Sequence, residues 1–187
     1  MSIQAALVRS ILEKWQAYTW TRQGFGFVRT KIADVGRIHV WDARLAVDGV
    51  STAHTHPWLL ESSIISGELV NQRFTVCPTG MPYTRSDIKT GEGGGLTGEL
   101  QTLGLRSEPP EAYTSGASYQ QKPEEIHRTL AQDGTVTLIQ RPQGPPLEVA
   151  QVYWPVGTSW VSAEPRPIDG WELGRVIEYA LARWFVP

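Results

Sequence analysis

The chain has 187 residues, 41% hydrophobic and 19% charged, with a formal net charge of -2. That length and balance suit one globular domain with a real core, and nothing in the charge asks for nucleic acid or an acidic membrane surface. No run approaches the roughly 18 apolar residues of a membrane span. The first residues, MSIQAALVRSILEKW, interrupt their apolar pattern with Arg9, Glu13 and Lys14, so they lack a signal peptide's continuous hydrophobic stretch, and the expected compartment is the cytoplasm.

The first predicted element is an amphipathic helix over about residues 3–18, with Ile3, Ala6, Leu7, Ile11, Trp15 and Tyr18 at three- and four-residue steps. Short runs rich in Val, Ile, Thr and aromatics follow, punctuated by Gly and Pro: FGFVRTKI, RIHVWDARLAV, SSIISGELV, QRFTVC, TVTLIQR and EVAQVYW. Many short strands at fairly regular spacing predict a sandwich or barrel. The lone cysteine, Cys77, excludes an internal disulfide, and in the run FTVC it reads as a small buried hydrophobe. Residues 78–122 are polar and glycine-rich, and only GELQTLGL and ASYQQ read as strands there; the rest reads as a flexible hairpin or lid. A second helix is expected over about 169–185, capped by Asp169, with Trp171, Leu173, Val176, Ile177, Ala180, Leu181 and Trp184 on one face.

Chemistry concentrates in AHTHPWLLESSIISGEL, residues 53–69, which holds two of the four histidines. On a strand, residues i and i+2 share a face, so His54 and His56 present two imidazoles side by side, and neutral imidazole is the commonest ligand for zinc, iron, copper and nickel. Pro57 ends or turns that strand, after which Glu61 is expected back at the same centre. The third imidazole comes from His127, in KPEEIHRTL, or from His39, which also reads as a core or rim histidine.

These residues resemble the cupin superfamily. Its first motif, G-x5-H-x-H-x3,4-E-x6-G, is followed in order by Gly49, His54, His56, Glu61 and Gly67, with one residue fewer at each outer gap. Its second motif is matched by Pro123 and His127, one residue closer than usual, and lacks the second glycine and the asparagine. The wording HTHPW, with IHRT much later, is also similar to small uncharacterised cupins of bacterial and phage type. The resemblance covers about residues 37–154. It implies a mainly β chain, a double-stranded β-helix or jelly-roll barrel over about 22–162 with the two helices outside, the whole of 1–187 being a single cupin domain. It further implies one divalent metal on His54, His56 and His127, with Glu61 as fourth ligand or close partner.

Fe2+ leads among the ions, with Zn2+, Ni2+ and Mn2+ as alternatives. Metal affinity is expected to fall as pH drops through about 6. With iron the implied activity is that of an oxidoreductase similar to cysteine, acetylacetone or quercetin dioxygenases, acting on a small chelating molecule. A metal-dependent sugar isomerase or epimerase stands beside it, although the arginines Arg73, Arg85, Arg128 and Arg141 look scattered for a phosphate clamp. Outside the enzymes stands a small-molecule-binding cupin. Candidate substrate contacts are Trp58, Tyr119 and Arg73; Trp58 also reads as a core residue, and Glu125 as a base at the mouth or a solvated turn carboxylate. Cupins often pair, so a homodimer through the Trp171–Trp184 stripe is an arrangement the resemblance allows.

Overall fold

The structure is a computed structural model and describes residues 2–89, 95–142, 147 and 149–184. Helix α1 spans Ile3–Glu13, and a single 3-10 turn, Trp15–Ala17, follows it. Among the described residues thirteen strands come next: β1 (Trp20–Gln23), β2 (Phe25–Ile32), β3 (Gly36–Ala46), β4 (Ala53–His54), β5 (Leu60–Ser66), β6 (Glu68–Lys89), β7 (Leu96–Ser107), β8 (Glu111–Thr114), β9 (Ser118–Gln121), β10 (Ile126–Ala131), β11 (Val136–Gln140), β12 (Val149–Pro155) and β13 (Arg166–Pro167). Helix α2, Gly170–Ala182, closes the described chain. No helix among the described residues is long and apolar enough to cross a membrane.

The strands form two antiparallel sheets packed together in a sandwich of jelly-roll type. One has the order β13-β1-β2-β3-β11-β5-β9 and the other β10-β4-β12-β6-β7, with β8 added on β6. Alternation decides which side chains meet between them. On β2, β3 and β11, Val28, Ile38, Val40, Val136 and Leu138 point outward and join Val8, Ile11 and Leu12 of α1 and Leu173, Val176, Ile177 and Ala180 of α2 in the largest apolar cluster. Each such aliphatic side chain contributes about 1.5–3 kcal/mol by leaving water. Their alternate neighbours, Phe27, His39, Trp41 and Thr137, therefore face the other sheet.

Both helices form for the reasons expected, with one rotation. Ser2 caps α1, its Oγ accepting from Ala5 N at 3.1 Å, and Asp169 caps α2 by accepting from Trp171 N and Glu172 N. The α2 face is the predicted one, except that Trp171 is 71% exposed under the Arg175 guanidinium while Trp184 packs on the core, so the two do not form a common stripe. The α1 face is turned: Ala5, Val8, Ile11 and Leu12 are buried, whereas Ile3 is 90% exposed. Val8 and Leu12 outcompete Ile3 and Leu7 because Trp15, placed by the 3-10 turn, lies against Gly174 of α2.

The described parts of the stretch 78–122, residues 78–89 and 95–122, hold far more strand than the composition suggests. β6 runs for 22 residues and pairs with β10 and β8 in its first part and with β12 and β7 in its second. PTGMPYTRSD is thus strand. Pro78 falls at an irregularity between Val76 and Met81, where the ladder with β7 shifts register, so its missing N–H costs no pairing. Cys77 sits in that irregularity half exposed, its Sγ 3.4 Å from Thr79 Oγ1, and is not a core residue. GEGG, residues 91–94, lies outside the described residues.

Both motif glycines have a positive φ, +78° at Gly49 and +88° at Gly67, and at Gly67 close contact adds to it. A Cβ there would lie 2.8 Å from the Thr135 Cα and 2.6 Å from its Oγ1. Gly67→Ala is expected to cost about 2 kcal/mol or more from backbone conformation and contact together, read as a lowered Tm.

Candidate metal centre

Strand β4 is only two residues long, and its place explains the site. It fills the gap where β10 and β12 diverge, pairing His54 with His127 on one side and with Val152 on the other. Directly paired residues share a face, so both imidazoles project between the sheets, while their neighbours Ala53 and Ile126 turn to an apolar cluster on the opposite face. Beyond His54 the chain stays tied to β12, Thr55 N donating to Gln151 O at 2.9 Å, and this delivers His56 beside the same point. The ligand atoms of His54, His56 and His127 lie within 4.8 Å of one another. The three ring centroids are 4.8–5.0 Å apart.

Hydrogen bonds fix which nitrogen of two of these rings faces the centre. The Thr52 carbonyl, 2.9 Å from His54 Nδ1, only accepts, so Nδ1 carries the proton and Nε2 keeps its lone pair. For His127 the assignment passes through two amides. Gln121 Nε2 lies on the Glu125 carboxylate and carbonyl, both acceptors, so its Oε1 must face Asn71 Nδ2. Asn71 then turns Oδ1 to His127 Nδ1 at 2.7 Å, which must donate. The Nε2 of His127, a residue only 3% exposed, thereby keeps its lone pair and accepts a hydrogen bond from His56 Nε2 at 2.9 Å, a proton whose place a bound metal would take. Two nitrogens on one zinc- or iron-sized ion stand about 3 Å apart. The donor set fits a divalent metal.

Electrostatics favour the ligand-competent form. Burial holds all three imidazoles below the ordinary value of about 6.5, His56 and His127 well below it; neighbouring positive charge adds to this for His56 and His127, while the hydrogen bond to the Thr52 carbonyl offsets part of it for His54. Burial, with Arg29 and Arg37, does the same to His39. A lowered folded pKa means that the unfolded chain binds more protons below about pH 6.5. Stability of chelator-treated protein is therefore complete above that pH and is lost as pH falls through it towards the folded values. The expected result is a Tm that drops between pH 7 and pH 5, by about 2–4 °C per kcal/mol lost. The same lowering moves proton competition for metal below the pH of about 6 expected from ordinary histidines.

The other sequence candidates divide. Glu61 is not brought to the imidazoles. On β5, Ser62 pairs with Tyr119 and Leu60 with Gln121, on the inner face, so Glu61 points outward and lines a surface groove of about 370 Å³ with Ser2, Gln4 and Ser118. The segment after Pro57 re-enters the sheet one residue out of phase for Glu61, and one step reverses the face. Trp58 does stand by the site, its ring 6.3 Å from that of His56. Tyr119 is buried against Tyr113, Ile64 and Leu69 at one end of the interior, as packing. Arg73 pairs in register with His127, but its guanidinium is engaged by Glu111 at 2.5 Å, Glu125 at 3.8 Å and the Gln120 carbonyl at 3.2 Å. Glu125 ends the amide chain and accepts from Lys122 N, a turn carboxylate rather than a base at the mouth.

His39 is outside the trio. It stacks on Phe27 at 4.3 Å in a wall that continues through Phe25 to His54, and its buried Nε2 has no hydrogen-bond partner among the described residues. Sequence reading missed Asn71 and Gln121. Both are fully buried on inward strand faces, Asn71 two residues after Leu69 on β6 and Gln121 two residues after Tyr119 on β9, but Arg73 continues the β6 face and blurs the signal there. In comparisons with family models, curated proteins and solved structures, nothing matched this chain.

Proposed function

We propose that the chain is a metal-dependent protein of the cupin type, with His54, His56 and His127 holding one divalent ion in a dioxygenase-like centre that acts on a small chelating molecule. The observation that carries this reading is the convergence of three imidazoles between two antiparallel sheets, two of them with Nε2 lone pairs turned inward by fixed hydrogen bonds. The order of the histidines along the chain and the jelly-roll arrangement support the cupin assignment. Iron(II) is the proposed ion; bound there it would supply reaction with dioxygen and Lewis acidity towards a chelating substrate. Three protein nitrogens leave half the positions of an octahedral ion for other groups. The chain's own part is to keep the imidazoles neutral, to aim them, and to line the chamber with Phe25, Phe27 and Trp41.

The test is metal analysis of protein purified without oxygen, followed by nitric oxide, a dioxygen surrogate. The iron(II) protein should give a paramagnetic nitrosyl signal that a true substrate perturbs, and should consume oxygen with that substrate. Zinc as the resident ion, with neither signal nor oxygen uptake, would replace this reading by a metal-dependent isomerase or epimerase, or by a binding cupin.

A further inference from the structure

Two arginines that the sequence did not single out stand on the same inner face as the aromatic wall. Arg29 follows Phe25 and Phe27 at two-residue steps on β2 and pairs directly with His39, and Arg37 lies two residues before His39 on β3. The Arg37 guanidinium is 5.3 Å from the centre of the Trp58 ring, and Arg141 approaches the same ring at 5.3 Å. One indole thus separates this basic group from His56. Among the described residues no carboxylate lies within ion-pairing distance of Arg29 or Arg37.

Like charges gathered in a half-buried place are costly. The strain shows: Arg29 is lowered to about 10, by burial first and then by Arg37, and Arg37 is lowered by burial and then by Arg141. The unpartnered Nε2 of His39 adds a polar atom with nothing to bond. A metal held by three neutral imidazoles, with Glu61 turned away, also keeps its full positive charge. Every one of these features is relieved by the same kind of ligand.

We propose that Arg29 and Arg37, beside Trp58, form an oxyanion subsite, so that the molecule bound at the three-histidine centre is a small acid, its chelating head on the metal and a second, carboxylate or phosphate group on these two arginines. This rests on the metal reading above. The guanidiniums of Arg29 and Arg37 offer planar, paired donors that match an oxyanion, and the Trp58 indole face positions Arg37 without consuming its donors.

The zinc-loaded protein, which cannot turn over by redox chemistry, is titrated calorimetrically with three probes that share a 2-hydroxy-acid head. Malate carries a distal carboxylate, 3-phosphoglycerate a distal phosphate, and 2-hydroxybutyrate a methyl group. One of the two doubly anionic probes is expected to bind at least about tenfold more tightly than 2-hydroxybutyrate, and which one tells carboxylate from phosphate. Arg37→Gln and Arg29→Gln should keep their zinc and lose most of that preference, while Arg37→Lys keeps part of it. Equal binding of all three probes, or a preference untouched by both glutamine variants, overturns the subsite. If the wild-type chain takes up no zinc, the metal reading fails separately. The arginines are then tested in the metal-free protein by the effect of succinate and inorganic phosphate on tryptophan fluorescence. Saturation that weakens in Arg37→Gln sustains the subsite, and no response removes it.

Discussion

His127→Ala should reduce bound metal from about one equivalent to nearly none, whereas Glu61→Gln should leave it unchanged. The contrast follows from where the two side chains go. His127 contributes a buried Nε2 lone pair to the cluster, and among the described residues no other His, Cys, Asp or Glu joins that cluster to replace it. Its removal also strands Asn71 Oδ1 in the interior, at a cost of about 1–3 kcal/mol in stability. Glu61 lies on the outward face of β5, beside Ser2 and Gln4 of the N-terminal region, and removing its charge touches no metal ligand. His54→Ala should behave like His127→Ala without stranding a buried amide, since its Nδ1 partner is the Thr52 carbonyl. Elemental analysis of dialysed protein, with circular dichroism as a check on folding, decides the matter. Loss of metal from Glu61→Gln would return that carboxylate to the site.

Asn71→Leu, close to isosteric, is expected to lower metal affinity by about 10–100-fold while leaving all three ligands in place. Asn71 is fully buried and joins His127 Nδ1 to Gln121, which Glu125 anchors in turn. Leucine removes the acceptor that keeps the Nδ1 proton where it is, so the ring loses both its tautomer and its orientation. Gln121 then also loses a partner in the interior, and stability should fall by about 1–3 kcal/mol. Competition with a coloured chelator measures the affinity, and Tm measures the rest. A variant with wild-type affinity and a lowered Tm would make the amide chain a packing device alone.

The pair His54 and His56 was legible from its spacing, although strand β4 ends at His54 and the tie of Thr55 N to Gln151 O brings His56 round; His127 was expected in a turn ahead of TVTLIQR and lies instead inside strand β10. Glu61 was not legible, since its face depends on how many residues the turn after Pro57 uses, a number that motif spacing alone leaves open. The same parity hid Arg29 and Arg37: they join the aromatic wall only when Phe25, Phe27 and Arg29 are followed as one face of β2 in register with β3. The second helix was read correctly through Leu173, Val176, Ile177 and Ala180, because one stripe on it was unambiguous. In α1 two stripes compete, and the winner is set by Trp15 and Gly174, a tertiary contact. The first part of β6 was read as strand in SSIISGELV and QRFTVC, but residues 78–89 escaped notice for a different reason. A stretch with polar residues on both faces lacks the alternation that announces a strand, and its partners β7 and β12 hold it instead.

The largest apolar cluster of this molecule does not lie between its sheets but behind one of them, where α1 and α2 press on the outer face of β2, β3 and β11. The largest apolar cluster and the histidine cluster thereby occupy separate compartments that share a wall. A lineage of such proteins is free to exchange residues such as Trp58, Arg29 or Arg37 for others suited to a different ligand, because the helices on the far side supply much of the cohesion. Selection on the chamber then meets little opposition from selection on the scaffold.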